Sequence, residues 1–317
     1  MKRLDFDFIG NRKIFFAISI GIVFLGLLFN ILLGVRLDIS FKGGTLLKYS
    51  YQGALDREEV EDFIKNKTGM DVSVQLSETA AENEEVLNIS MPEAISLDDQ
   101  KLLDNELSKK YKDFNIEQLN VNSLSPTMGK LFFLKCLVAI ALSSVFLVIY
   151  VAIRFRKIGG ISAGAMALVA LLHDILVAYF AFVIFRIPLN DNFVAVVLSI
   201  LGFSLNDTIV IYDRIRENRR KMDKTNSIGE IVNVSINQSF TRSFNTSLCT
   251  FLAVSTVAVL ALIYNLESIT SFAVPMMIGV ISGCYSSVCI CGPLWVMWKE
   301  YRQRKDELQK SKSKQKA

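Results

Sequence analysis

Six long apolar segments are the feature that most constrains the fold of this 317-residue chain. A helix needs about 20 apolar residues to cross a bilayer core about 30 Å thick, and all six meet or approach that length. The segments cover residues 14–35, 131–153, 158–185, 192–212, 245–264 and 269–298. Hydrophobic residues make up 51% of the chain. The sequence therefore predicts a multi-spanning α-helical membrane protein with six transmembrane helices.

Charge separates residues 37–126 from the rest of the chain. This region holds 18 acidic and 9 basic residues, whereas the remainder holds 13 acidic and 26 basic residues. With six spans, the basic segments all fall on one side of the membrane, which predicts that both termini are cytoplasmic and that residues 37–126 lie outside. The predicted divisions are 1–36 (N-terminus and helix one), 37–126 (exterior domain), 127–298 (helices two to six) and 299–317 (basic tail).

The exterior region reads as alternating strands and helices. "LDREEVEDFIKNKTG" and "SLDDQKLLDNELSKKY" are capped amphipathic helices, and "DISFKGGTLLKYSY" looks like a strand or hairpin with a Gly-Gly turn. "MDVSVQLS", "EEVLNISM" and "NIEQLNVNSL" are the remaining strands. The resulting β-α-β-β-α-β order predicts an α+β ferredoxin-like domain. No catalytic set is visible in it, so we expect a binding or docking role.

Asp207 interrupts the fourth apolar segment, within "GFSLNDTIVIYDRIREN". Carboxylates inside membrane helices are costly and normally face the bundle interior. The helical period places several mostly polar residues on one side of this helix, namely Ser204, Asp207, Thr208, Ile211 and Arg214. Two interpretations stay open: a proton-relay or ion-coupling site, and a structural residue satisfied by neighbouring hydroxyls.

Helices three, four and five carry further candidate polar residues. On helix five, Thr246 is predicted at the depth of Asp207, and Arg242 about one turn nearer the cytoplasm, from where it could snorkel or reach toward Asp207. Helix three carries the adjacent pair His173 and Asp174, either a structural pair or a second relay. The secondary candidates Asn206 and Asp213 are on helix four, and Asp213 is expected to pair with Arg214, Arg216 or Arg242.

Several function classes are excluded by residue types. The chain has one His, and its five Cys lack metal-binding spacing, so no metal site is expected. There is no nucleophile–base pair, so no catalytic residues are assigned, and no GxxxxGK[ST] motif, so ATP is not the energy source. We expect no cofactor and no nucleic-acid partner, while the basic loops are suited to contact with membrane lipid.

The motifs "DISFKGGT", "LLHD", "LNDTIVIYDRIREN", "SFTRSFNTSL" and "PMMIGVISGCYSSVCI" follow one another as they do in the SecF family of the bacterial protein-export machinery. This resemblance covers nearly the whole chain from residue 5 to 298. It implies one half of a resistance-nodulation-division-type assembly in the inner membrane, with six spans and a periplasmic ferredoxin-like domain. SecD would supply the other half.

The resemblance also implies a function. The family is described as using the proton-motive force to promote late steps of polypeptide export, with SecD, the SecYEG channel, protons and the exported unfolded polypeptide as partners. Its functional membrane residues match Asp207, Arg242 and Thr246. Two alternatives stay open: a proton-coupled exporter half for small molecules or lipids, and a translocon assembly factor that transports nothing. The small exterior domain disfavours the exporter.

Overall fold

The computed structural model describes residues 6–53, 55–70, 72–79, 84–222, 225–264 and 266–316. In chain order its helices are α1 (Arg12–Leu33), α2 (Ile39–Lys42), α3 (Arg57–Thr68), α4 (Leu97–Lys110), α5 (Pro126–Arg154), α6 (Gly160–Ile184), α7 (Asp191–Lys221), α8 (Ile228–Ile263), α9 (Glu267–Ser286) and α10 (Gly292–Lys316). The strands are β1 (Gly44–Tyr51), β2 (Ser73–Thr79), β3 (Glu84–Met91) and β4 (Glu117–Leu124).

Six helices of the described chain are long and apolar enough to cross a bilayer, as predicted. They are α1, α5, α6, α7, α8 and the continuous stretch Ser268–Gln309. The last stretch continues through Pro275, which lies inside α9, and its irregularity is a π-helical turn at Ser287–Cys291. α7 and α8 extend well beyond their apolar segments, because hydropathy locates the part of a helix in the bilayer and not where the helix ends.

Side-chain caps fix the starts of α5 and α8. At the start of α8, the Ser227 hydroxyl accepts from the Glu230 backbone N–H while the Glu230 carboxylate accepts from the Ser227 N–H, which forms a capping box. Ser125 caps α5, where Pro126 occupies the first turn. These caps define where α5 and α8 begin.

The sheet domain, which we define as residues 44–124, contains one antiparallel sheet with strand order β2–β3–β1–β4. α3 and α4 contribute Val60, Ile64 and Leu107 to the same buried cluster as Leu47 and Leu87 of the sheet. The predicted strand or hairpin at "DISFKGGTLLKYSY" was wrong in its first half. Asp38 instead caps the single-turn helix α2, and β1 begins only at Gly44, where two consecutive glycines have positive φ.

The segment that leads into the sheet domain, residues 38–43, makes close contacts with the helix bundle. Phe41 of α2 packs on Phe133 of α5 with ring centroids 5.0 Å apart. Gly43 has φ +80° and lies directly against Pro126, where a Cβ atom would collide with backbone. The backbone N–H of Asp38 donates to the Leu189 carbonyl, which follows α6. The domain is thus held at the ends of α1, α5 and α6.

The bundle has an inner and an outer set of helices. Half or more of the residues are buried in the spanning segments of α6, α7 and the α9–α10 stretch, at 56%, 50% and 67%. The corresponding shares are 11% for α1 and α5 and 17% for α8. The inner faces of α6, α7 and α9 are therefore enclosed by protein, whereas α8 leaves most of its surface open.

Candidate functional site

Asp174 is the centre of a polar cluster within the inner helices. It is fully buried on α6, and its two carboxylate oxygens accept hydrogen bonds from three serine hydroxyls. Ser204 of α7 donates at 2.7 Å, and Ser282 and Ser286 of α9 each donate at 2.6 Å. The three inner helices are therefore tied together through one carboxylate.

His173 adds a fourth contact to this cluster. Its Nδ1 atom lies 3.3 Å from Asp174 Oδ1, while its Nε2 atom has no hydrogen-bond partner among the described residues. The imidazole ring is 6.2 Å from the ring of Tyr285, whose hydroxyl donates to the Phe15 carbonyl of α1. The structure brings the predicted pair together, and it connects the pair to α1 through Tyr285.

Small residues on α9 allow the close approach that the cluster requires. A Cβ atom on Gly283 would lie 3.0 Å from the Ser204 Cβ atom, and a Cβ atom on Gly279 would collide with the Ile200 side chain. Both glycines therefore let α9 approach α7 at short range. This close packing brings Ser282 and Ser286 within hydrogen-bond distance of Asp174.

Asp207 forms a second, less complete site between α7 and α8. The residue is only 1% exposed, and its carboxylate accepts one hydrogen bond, from the Ser247 hydroxyl at 3.2 Å. Ser243, one turn earlier on α8, lies beside the same carboxylate without closing a hydrogen bond. Among the described residues, no Lys or Arg forms an ion pair with Asp207 within 4.0 Å.

Four of the five residues in the predicted stripe of α7 are buried, and the fifth, Arg214, is partly exposed. Ser204, Asp207, Thr208 and Ile211 are each at most 2% exposed. Thr208 shares a hydrogen bond of 3.0 Å with Ser287, the first residue of the π-helical turn. Such turns occur frequently at functional sites.

Arg242 and Thr246 do not face Asp207 in this structure. Both side chains are exposed, and the Thr246 hydroxyl donates to the Arg242 carbonyl of its own helix. Arg242 lies near enough to interact with the Asp207 charge, but over more than ion-pair distance. Adjacent residues on a helix are rotated by about 100°, so the face that meets α7 carries Ser243 and Ser247 instead.

The two secondary candidates of α7 lie outside both clusters. Asp213 forms ion pairs with Arg216 at 2.8 Å, one of the three partners expected, and with Arg154 of α5 at 3.3 Å, which sequence reasoning missed. Arg214 instead donates to Gln238 and Glu217. Asn206 is exposed on the helix surface.

The serines that complete both sites were the main omission of the sequence prediction. Ser243 and Ser247 recur at a spacing of four on α8, as do Ser282 and Ser286 on α9. Spacing of this kind places two hydroxyls on one helix face, which is a detectable signal in an apolar helix. Serine is also common at membrane helix contacts, so the signal alone identifies no carboxylate partner.

Six helices long and apolar enough to cross a bilayer, with two carboxylates buried between them, define a multi-pass membrane protein. Residues 104–301 match the family model described as "Protein export membrane protein SecD/SecF, C-terminal". The protein translocase subunit SecF of Synechocystis is 32% identical over 285 residues, covering 86% of this chain and 85% of that protein. The chain therefore belongs to the SecD/SecF family of protein-export membrane proteins.

Some of the relatives are much longer than this chain. The protein translocase subunit SecDF of Bacillus subtilis is 34% identical over 306 residues, which cover 96% of this chain but 39% of that protein. The crystal structure of SecDF from Thermus thermophilus, titled a translocon-associated membrane protein, superimposes with a TM-score of 0.76 at 24% identity over 94% of this chain and 39% of the other. The chain thus shares the fold of the corresponding part of SecDF. It spans about two fifths of the length of these SecDF proteins.

Proposed function

We propose that this chain is a subunit of the Sec protein translocase that, together with SecD, uses the proton-motive force to promote late steps of polypeptide export. The observation that carries this proposal is Asp207. It is a carboxyl group buried between two membrane helices, with a serine hydroxyl as its hydrogen-bond partner and without an ion pair among the described residues. Intramembrane groups of this kind mark proton relays.

The chemistry of Ser247 supports a reversible proton. A hydroxyl group donates to a carboxylate and accepts from a carboxylic acid, so the Ser247–Asp207 contact can persist in both protonation states. One elementary charge crossing 100 mV is worth about 2.3 kcal/mol. Free energy of that size is enough to shift the balance between two packings of α7 and α8 that differ by a few kcal/mol.

The polar residues on the open faces of α7 and α8 support SecD as a partner. Asn206, Arg242 and Thr246 are exposed at positions that sit within or close to the membrane-spanning segments. Facing lipid, an arginine in such a segment costs about 2.5–3.5 kcal/mol at the bilayer centre, and the cost falls toward the interface. A partner helix that covers this surface removes that cost.

Topology and the sheet domain complete the proposal. We infer a location in the bacterial inner membrane with both termini cytoplasmic and residues 37–126 periplasmic, supported by the positions of the basic segments. The strand order β2–β3–β1–β4 with α3 and α4 on the sheet supports the ferredoxin-like class. We propose that this domain contacts the exported unfolded polypeptide and that the whole assembly acts beside the SecYEG channel.

The test compares two carboxylates of α7. Asp207→Asn is expected to abolish proton-dependent export of a secreted reporter and proton flux in vesicles that contain the partner subunit. Asp213→Asn is the matched control, because Asp213 forms ion pairs with Arg154 and Arg216 outside the Asp207 site, so both activities should persist. Membrane content of each variant is measured in parallel.

Two results would go against the proposal. Full export with Asp207→Asn overturns the relay, and if the variant still copurifies with a channel, the chain is an assembly factor. Loss of a small molecule or lipid from vesicles through the wild type, but not through Asp207→Asn, would instead indicate an exporter half.

A further inference from the structure

A basic cavity lies at the end of the bundle opposite the sheet domain, between α7, α8 and α10. Its volume is about 190 Å³. Three of its lining residues are basic, Arg219, Lys299 and Arg302, against one acidic residue, Asp306. None of these four forms an ion pair with another described residue within 4.0 Å. The cavity therefore concentrates positive charge that the protein itself leaves uncompensated.

Lys299 is held in the cavity although its charge is repelled there. Arg219 and Arg302 are close enough to act on it electrostatically, and its ammonium lies 5.5 Å above the ring of Trp295. On the other side it lies against Gly159, which has φ +100° and where a Cβ atom would collide with the Lys299 side chain. A lysine that is packed beside two like charges is arranged to meet an anion.

Trp295 provides a second, independent observation that points to a ligand in the cavity. The residue lines the cavity and is 1% exposed, yet its indole N–H has no acceptor among the described residues. Buried N–H groups almost always have a partner, since leaving one unpaired costs about 1–3 kcal/mol. An oxyanion in the cavity would bring acceptor oxygens to the region of this donor and of the three cations.

The surroundings of the cavity indicate which kind of molecule bears the anionic group. Trp298 and Tyr301 of α10 are exposed and directly precede the lining residues Lys299 and Arg302 in sequence, and such aromatic residues sit at the headgroup level of membranes. Ile215, Ile228 and Ile231 supply an apolar wall. A free phosphate ion has no apolar part that could contact the isoleucine wall, and it does not need a site at the membrane surface. A phospholipid has an apolar part and lies at the membrane surface.

We propose that this cavity binds the phosphate group of an anionic phospholipid. Arg219, Lys299 and Arg302 hold the phosphate, and the isoleucine wall takes the glycerol end of the lipid. The site goes beyond the proposed export function, because it needs neither Asp207 nor a proton gradient.

Tryptophan fluorescence gives a direct test, since Trp295 lines the cavity and the sequence has only one other Trp residue, Trp298. In full-length protein carrying Trp298→Phe and held in neutral detergent, short-chain phosphatidylglycerol is titrated while Trp295 emission is recorded. Lys299→Gln with Arg302→Gln should weaken phosphatidylglycerol binding at least about tenfold, because two charge-assisted contacts are lost. Arg304→Gln with Lys305→Gln is the matched control on the same helix, and its affinity should stay unchanged.

Further arms distinguish the source of the phosphate. Phosphatidylcholine has no net charge and should bind at least about tenfold more weakly than phosphatidylglycerol. Equal affinity for these two lipids, or equal phosphatidylglycerol affinity in both double variants, overturns the proposal. Inorganic phosphate that saturates the signal as tightly as phosphatidylglycerol overturns the lipid source. Gel filtration and thermal unfolding establish that the variants compared are folded.

Discussion

Asp174 and Asp207 are both buried in one bundle, but their surroundings differ in completeness. Asp174 lies among the inner helices and receives three short serine hydrogen bonds as well as the His173 contact. Asp207 lies one helix further out and receives a single longer bond from Ser247. The Asp174 site therefore resembles a structural contact that holds helices together. The Asp207 site resembles one whose hydrogen-bond partners can change.

The difference follows from the helices that each carboxylate contacts. α6, α7 and α9 pack against one another around Asp174, so the donors to this carboxylate are fixed. α8 is mostly exposed, so the donors on Asp207's outer side can move with it. A working relay needs such freedom, because a carboxylate that is saturated with fixed donors favours one protonation state.

The largest expected effect is the loss of stability when Asp174 is neutralised. Asp174→Asn replaces one acceptor oxygen by a donor group facing serine hydroxyls, which should reduce the free energy of unfolding by about 3 kcal/mol. Asp207→Asn should change it by less than about 1 kcal/mol, because one hydroxyl can rotate to suit an amide. Unfolding of the purified full-length variants in detergent measures both values.

Equal losses of unfolding free energy for these two variants would contradict the distinction between a structural Asp174 site and a changeable Asp207 site. A large loss at Asp207 alone would reverse it and would make the outer site the structural one. Circular dichroism at the start of each titration ensures that folded protein is being compared.

The next effect concerns the close contact between α7 and α9. Gly283→Ala places a Cβ atom 3.0 Å from the Ser204 Cβ atom, so α9 must shift away from the Asp174 cluster at a cost of about 1–3 kcal/mol. Gly202→Ala is the matched control, since nothing lies within 4 Å of its added Cβ atom. It should leave stability unchanged or raise it by up to about 1 kcal/mol. Thermal unfolding of the pair decides whether close packing maintains the inner site.

Much of the fold was predictable because its determinants are local in sequence. Apolar length identified all six spans, and the cap at Ser96 together with helical periodicity identified α4. The short helix α2 was missed because it depends on two consecutive glycines with positive φ and on contact with Pro126. Such a contact joins residues about eighty positions apart, and no local pattern reveals it.

The candidate site was predicted less completely, for a geometric reason. Burial of Asp207 followed from the cost of a charge in lipid, and its helix face followed from the period of 3.6 residues. Which face of α8 meets α7 depends on the packing of the whole bundle. The predicted stripe with Arg242 and Thr246 was therefore rotated by one residue from Ser243 and Ser247, which the structure places at the contact.

The smallest effect is the loss of one serine hydroxyl from each site. Ser286→Ala removes a 2.6 Å bond from a carboxylate that keeps its other donors, and should cost about 1–2 kcal/mol of unfolding free energy. Ser247→Ala removes the 3.2 Å bond at Asp207 and should cost about 0.5 kcal/mol, because Ser243 lies ready to replace it. The double variant Ser243→Ala with Ser247→Ala should then lose clearly more than the sum of the single changes. Strict additivity in this cycle would mean that Ser243 does not take over, and that the Asp207 site is as fixed as the Asp174 site.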